Sequence, residues 1–143
     1  MRILIISILL LFSTSAINAQ EWQTDLEKCK EIAKEKNKKI ILVFSGSDWC
    51  APCIKLENEI WNSDEFKSYA KDNFVLLKAD FPKKKKNKLS KEQQEKNNQL
   101  AEKYNQTGYF PFVVVLDSNA KIIGTTGYKK VTPKEYIAIL NSF

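Results

Sequence analysis

The apolar run Ile40-Ile41-Leu42-Val43-Phe44 breaks at Ser45-Gly46-Ser47-Asp48 and is followed at once by Trp49-Cys50-Ala51-Pro52-Cys53. No other stretch constrains the fold as much. The run is β-branched at three of its five positions and shows no polar alternation, the pattern of a strand covered on both faces. The small and polar residues after it end the strand. A helix then starts near Cys50 and runs to about Trp61, with Pro52 in its first turn, where a missing amide hydrogen costs no bond. Cys53 lies one helical turn beyond Cys50, on the same side. A buried strand therefore delivers two thiols to the start of a helix.

The thiolate is the reactive form of cysteine, and a free thiol titrates at about 8.5. At a helix start, unpaired amides and the helix dipole favour negative charge, so the expected shift of Cys50 is downward. Cys53 is placed to attack a mixed disulfide formed at Cys50 and release its other half. Two other readings compete. A purely structural disulfide is one, although so short a loop stabilises little. A metal site is the other. Zinc usually takes four Cys, His or carboxylate ligands, and this chain has no His and one further cysteine, Cys29. Redox chemistry without a metal or bound cofactor is the reading carried forward. Cys29 falls on the apolar face of the first helix, where a small buried hydrophobe is the default.

The rest of the chain, 143 residues in all, suits one domain from Gln20 to Phe143. Three capping-box patterns locate helices: Thr24 with Glu27, Ser90 with Gln93, and Thr132 with Glu135, the last followed by Pro133. The first helix covers about Asp25 to Lys36, with Trp22, Leu26, Cys29, Ile32 and Ala33 on one face. Ser63 caps a short helix ending near Asp72. Phe74 to Asp80 and Phe112 to Leu116 read as further strands, and a polar helix runs from Lys91 to about Tyr104. The turn Asp117-Ser118-Asn119-Ala120 leads into a strand starting at Lys121 and antiparallel to its predecessor. A last helix spans Pro133 to about Asn141. Strands alternating with helices imply an α/β sheet covered on both faces, and the closing hairpin makes it mixed.

Residues 1–19 combine Arg2, an apolar run from Ile3 to Phe12, and small residues ending at Ala19. That is the layout of a secretory signal peptide cleaved after Ala19, with an uncleaved anchor as the alternative. The run is short of the roughly 20 residues a spanning helix needs. The chain carries net charge +6, much of it in Lys83-Lys84-Lys85-Lys86 and Lys88. A basic run attracts nucleic acid or anionic membrane in some proteins. Here it is read as a solvated loop, and export argues against a nucleic-acid partner.

With W-C-A-P-C, the strand Ile40 to Phe44 before it, and Phe110-Pro111 ahead of the third strand, the chain resembles the thioredoxin superfamily, and within it the small exported thioredoxin-like proteins. The likeness covers nearly all of the chain after residue 19. It implies a central mixed sheet of four to five strands flanked by helices. It implies thiol–disulfide exchange on exported protein substrates, Cys50 attacking and Cys53 resolving. It makes Pro111 a cis-proline against the disulfide, with the backbone of Phe110 pairing an extended substrate. Trp49, beside Cys50, is the aromatic expected to face substrate, while Trp61 is expected to be ordinary packing. One departure stands out: the family's buried Asp, six residues before the first active-site Cys, is Phe44 here. Lys78 matches the lysine that usually pairs with that Asp. Phe44 is expected to dry the site and raise a buried Cys53. The implied partners are protein thiols and disulfides, plus a membrane electron-transfer protein as donor; the domain is expected to act as a monomer, periplasmic or secreted. The rival from another class is a peptide-binding module with a static Cys50–Cys53 bridge.

Overall fold

The long apolar runs become the middle of a five-stranded sheet. The computed structural model describes residues 20–143, so the signal peptide expected over 1–19 lies outside them. In chain order the elements are β1 (Trp22–Gln23), α1 (Leu26–Lys36), β2 (Lys39–Ser45), α2 (Ala51–Leu56), α3 (Asp64–Asn73), β3 (Phe74–Asp80), α4 (Lys91–Tyr104), β4 (Phe112–Leu116), β5 (Ile122–Thr126) and α5 (Pro133–Asn141). Helix α2 continues as a π-helical turn, Glu57–Trp61, and a single 3₁₀ turn, Lys85–Asn87, sits in the lysine loop. The strand order is β1-β3-β2-β4-β5. β1, β3 and β2 run parallel, β4 runs antiparallel to β2, and β5 runs antiparallel to β4, so the sheet is mixed.

Alternation along the strands builds two cores. Ile41, Val43, Leu76, Val113 and Val115 face α2, α3 and α5, where they meet Leu56, Ile60, Trp61, Phe66, Tyr136 and Leu140. Ile40, Leu42, Phe44, Leu77, Val114 and Leu116 face α1 and α4 and pack on Cys29, Ala33, Leu100 and Tyr104. Burial on both faces is why β2 reads as unbroken hydrophobicity. Trp61 has 1% of its surface exposed and makes edge contacts with Trp22, Phe66 and Tyr136 at centroid distances of 5.7, 4.7 and 5.4 Å.

Several local expectations need correction. Trp22 does not extend the face of α1: it forms a two-residue edge strand in register with Leu76. The cap of α1 is Asp25, whose carboxylate accepts the Lys28 amide at 3.0 Å, and Glu27 pairs with Lys30 instead of closing a box on Thr24. Ser90 caps α4, but the Gln93 side chain reaches the Thr24 carbonyl and Asn97, so that box is half made. Thr132 and Glu135 satisfy each other's backbone amides, a complete box. The helix expected as one piece from Cys50 to Trp61 changes pitch at Glu57, which is how its last turn brings both Ile60 and Trp61 into the core.

Candidate active site

The turn between β2 and α2 is built by backbone. The Gly46 carbonyl accepts the amides of Trp49 at 3.2 Å and Cys50 at 2.9 Å. A Cβ on Gly46 would overlap the Trp49 indole, so glycine is what lets the ring lie across the turn. Ser47 ties the turn to the end of β3, donating from its amide at 3.0 Å and its hydroxyl at 2.6 Å to Asp80. Cys50 occupies the position just ahead of α2, and no side chain caps that helix. It forms a disulfide with Cys53, with Cα atoms 5.2 Å apart. Only 5% of Cys50 and 3% of Cys53 is exposed in this oxidised state, and the Gly46 amide donates to Cys53 Sγ at 3.4 Å.

Aromatic side chains cluster beside the turn that carries the disulfide. Trp49 is 40% exposed, and its indole N–H donates to the Phe81 carbonyl at 2.7 Å. Its ring lies 5.6 Å from Phe110, which also meets Phe81 at 5.6 Å. The Phe110–Pro111 peptide bond is cis, and Pro111 leads directly into β4. Lys83 places its ammonium 4.0 Å above the Trp49 ring. Asp48 fastens the lysine loop to this turn. Its carboxylate accepts the Lys83 amide at 2.9 Å, the Lys84 amide at 3.0 Å and Asn87 Nδ2 at 2.9 Å. Those donors, the Lys83 amide foremost, hold the carboxyl down at about 2.

Residues 26–143 match the thioredoxin-like domain family. The chain belongs to that family. It is similar to the disulfide bond reductase DsbH of Chlamydia pneumoniae, at 36% identity over 128 residues covering 90% of this chain and 74% of the relative. A solved DsbH oxidoreductase superposes with a TM-score of 0.79 at 33% identity, over 92% of this chain and 90% of that one. A thioredoxin from Thermus thermophilus shares the fold, with a TM-score of 0.62 at 14% identity and 85% of each chain covered. With its Cys-x-x-Cys pair closed at the start of α2, this thioredoxin-like protein is a thiol–disulfide oxidoreductase.

Of the residues singled out from the sequence, Trp49, Cys50, Pro52, Cys53, Phe110 and Pro111 belong to one end of this thioredoxin-like sheet, where β2 ends and β4 begins. Lys78 does not join them as expected. In the β2–β3 register Lys78 lies beside Val43, so it shares the α2 face, while Phe44 points to the other face and stacks on Phe112 at 6.4 Å. A residue at position 44 therefore does not face Lys78. The lysine is not left alone: Glu57, one turn beyond Cys53, pairs with it at 3.0 Å, and its ammonium stands 4.6 Å from the Trp22 ring. Glu57 escaped the sequence reading. Its i+4 spacing from Cys53 was the available signal. Cys29 is fully buried under β2 on the α1/α4 face, and desolvation pushes its thiol from 9.0 up to about 12.

Proposed function

We propose that this protein reduces disulfides in exported proteins, with Cys50 attacking and Cys53 resolving. The observation that carries the reading is the closed Cys50–Cys53 pair beside an exposed Trp49 and the cis Phe110–Pro111 step, in a chain similar to a disulfide bond reductase. Cys50 Sγ, as thiolate, attacks one sulfur of a substrate disulfide. That S–S bond breaks, the second substrate sulfur leaves as a thiolate and takes up a proton, and a Cys50–substrate disulfide forms. Cys53, losing its proton, attacks Cys50 Sγ and expels the first substrate sulfur. The substrate gains two electrons and two protons, and the protein ends as the oxidised form described above. The free amides at the start of α2 favour the Cys50 thiolate both as attacking and as leaving group. Phe110 offers its main chain to an extended substrate, and Trp49 covers one side of it.

Export follows from residues 1–19 read as a signal peptide cleaved after Ala19, which puts the monomeric domain in the periplasm or outside the cell. Returning it to the dithiol form takes two electrons from a membrane electron-transfer protein. No helix of the described residues is long and apolar enough to cross a membrane.

Equilibration of the Cys50–Cys53 couple with glutathione buffers tests the direction. A potential near about −270 mV supports the reductase, and one near about −120 mV assigns a disulfide donor instead. Cys53→Ser is expected to accumulate substrate on Cys50, while Cys50→Ser accumulates none. A protein with no reversible couple is a binding module with a static bridge, and the reductase reading is then wrong.

A further inference from the structure

The lysine loop is not simply solvated. It is fastened to the active-site turn by Asp48 and by the indole–carbonyl bond from Trp49 to Phe81. Asp48 stands two residues before Cys50, so the attachment and the nucleophile share one turn. Lys83, Lys84, Lys85, Lys86 and Lys88 are all exposed. Among the described residues, none of their ammonium groups meets a carboxylate at ion-pair distance. Asp48, bonded to the loop, spends its carboxylate on three donors, none of them an ammonium. Five cations held close together repel one another, and a loop free to move would spread them apart. This one is pinned to the turn that carries Cys50, with Lys83 over the Trp49 ring.

We propose that the lysine loop selects substrates by charge: it draws in protein segments carrying acidic residues next to their disulfide. The inference rests on the reductase reading and deepens it. A chain laid along Phe110 and across Trp49 passes beside Lys83, whose ammonium lies 4.0 Å from the Trp49 ring, and the loop's charge reaches outward over a Debye length, about 10 Å at 0.1 M salt. Basic flanks are repelled by the same field. The loop thus acts before the chemistry, on encounter and register, while Cys50 and Cys53 exchange electrons as they would with any disulfide. An acidic protein segment fits better than a lipid surface. The aromatic beside the lysines, Trp49, has its N–H bonded to the Phe81 carbonyl and an ammonium over its ring, so it is held within the active-site turn rather than presented as a membrane anchor.

The test uses the reduced protein and two disulfide-linked peptides, alike except for acidic or basic residues flanking the cystine, with neutral hydroxyethyl disulfide as control. The acidic peptide is expected to be reduced about tenfold or more faster than the basic one at low salt, the gap closing toward 1 M salt. Lys84, Lys85, Lys86 and Lys88→Ser together keep the Lys83 and Lys84 amides and Asn87 on Asp48. That variant is expected to lose the preference by about tenfold while the rate with hydroxyethyl disulfide moves less than about twofold. Equal rates with both peptides overturn the proposal, as does a preference that survives the fourfold variant. Loop-dependent sedimentation with anionic vesicles, without peptide discrimination, replaces it with a membrane role. Failure to reduce hydroxyethyl disulfide at all removes the reductase reading beneath it.

Discussion

Replacing Cys29 with alanine is expected to flatten the loss of stability in alkali. Burial raises the Cys29 thiol from 9.0 to about 12. Above pH 9 the unfolded chain gives up that proton while the folded chain keeps it. The stability tied to this proton is complete below pH 9 and is lost as pH rises toward 12. One proton difference gives a slope of about 1.4 kcal/mol per pH unit, so the full span amounts to something of order 4 kcal/mol. Near neutrality the substitution removes one buried sulfur and costs about 1 kcal/mol. Denaturant titrations of the oxidised protein at pH 7, 9.5 and 10.5 measure both effects. With the disulfide closed, Cys50 and Cys53 do not titrate. The buried Tyr136 hydroxyl, also raised by desolvation, acts equally in wild type and variant. Wild type should therefore lose its advantage near pH 9.5 and fall below Cys29→Ala by about 1 kcal/mol at pH 10.5. Parallel curves would refute the buried, inert thiol. So would alkylation of native Cys29 at pH 8, where its thiolate is about a thousandfold scarcer than that of a thiol at its ordinary value.

Trp61→Ala is expected to cost about 3–5 kcal/mol in urea unfolding, because the ring is fully buried against Trp22, Phe66 and Tyr136. Thr132→Ala opens the complete capping box at the start of α5 and should cost about 1 kcal/mol, read as a lower melting midpoint with redox activity intact. Gly46→Ala forces the Trp49 indole aside; its indole fluorescence should shift and substrate turnover should fall, since the ring cannot stay both over the turn and on the Phe81 carbonyl. Breaking the half-exposed Lys78–Glu57 pair with Glu57→Gln should change stability by less than about 1 kcal/mol, and a larger loss would mean that the pair is far better shielded than its exposure indicates.

The mixed sheet was legible because its central strands are buried on both faces, and a continuous apolar run bounded by Gly, Ser and Asp says so locally. The redox pair was legible for the same reason: Cys50 and Cys53 are three residues apart, and the turn that presents them is encoded in the residues just before. Period alone misplaced Trp22. It sits four residues before Leu26, a helical spacing, yet its backbone bonds to β3, and the separation of 54 positions from Trp22 to Leu76 hides that partner from any window. Thr24 and Asp25 are both good caps, and only the path of the chain leaving β1 chose Asp25.

Four of the polar contacts missed at the site join segments distant in sequence: Asp48 to the loop at 83–87, Ser47 to Asp80, Glu57 to Lys78, Trp49 to the Phe81 carbonyl. The contacts of Asp48, Ser47 and Trp49 arise because β2 and β3 are parallel neighbours whose C-terminal ends emerge side by side, so the end of β3 and the loop after it are delivered against the turn after β2, while Lys78 meets Glu57 from within β3. Chemistry and selectivity are thus encoded differently in this protein. The reacting sulfurs need only a strand, a turn and a helix start, all within one short segment. The charge that would choose among substrates lies some thirty residues further on, and acquires meaning only when Asp48 draws it to Cys50. A change at Asp48 should therefore alter which disulfides are reduced before it alters whether any are.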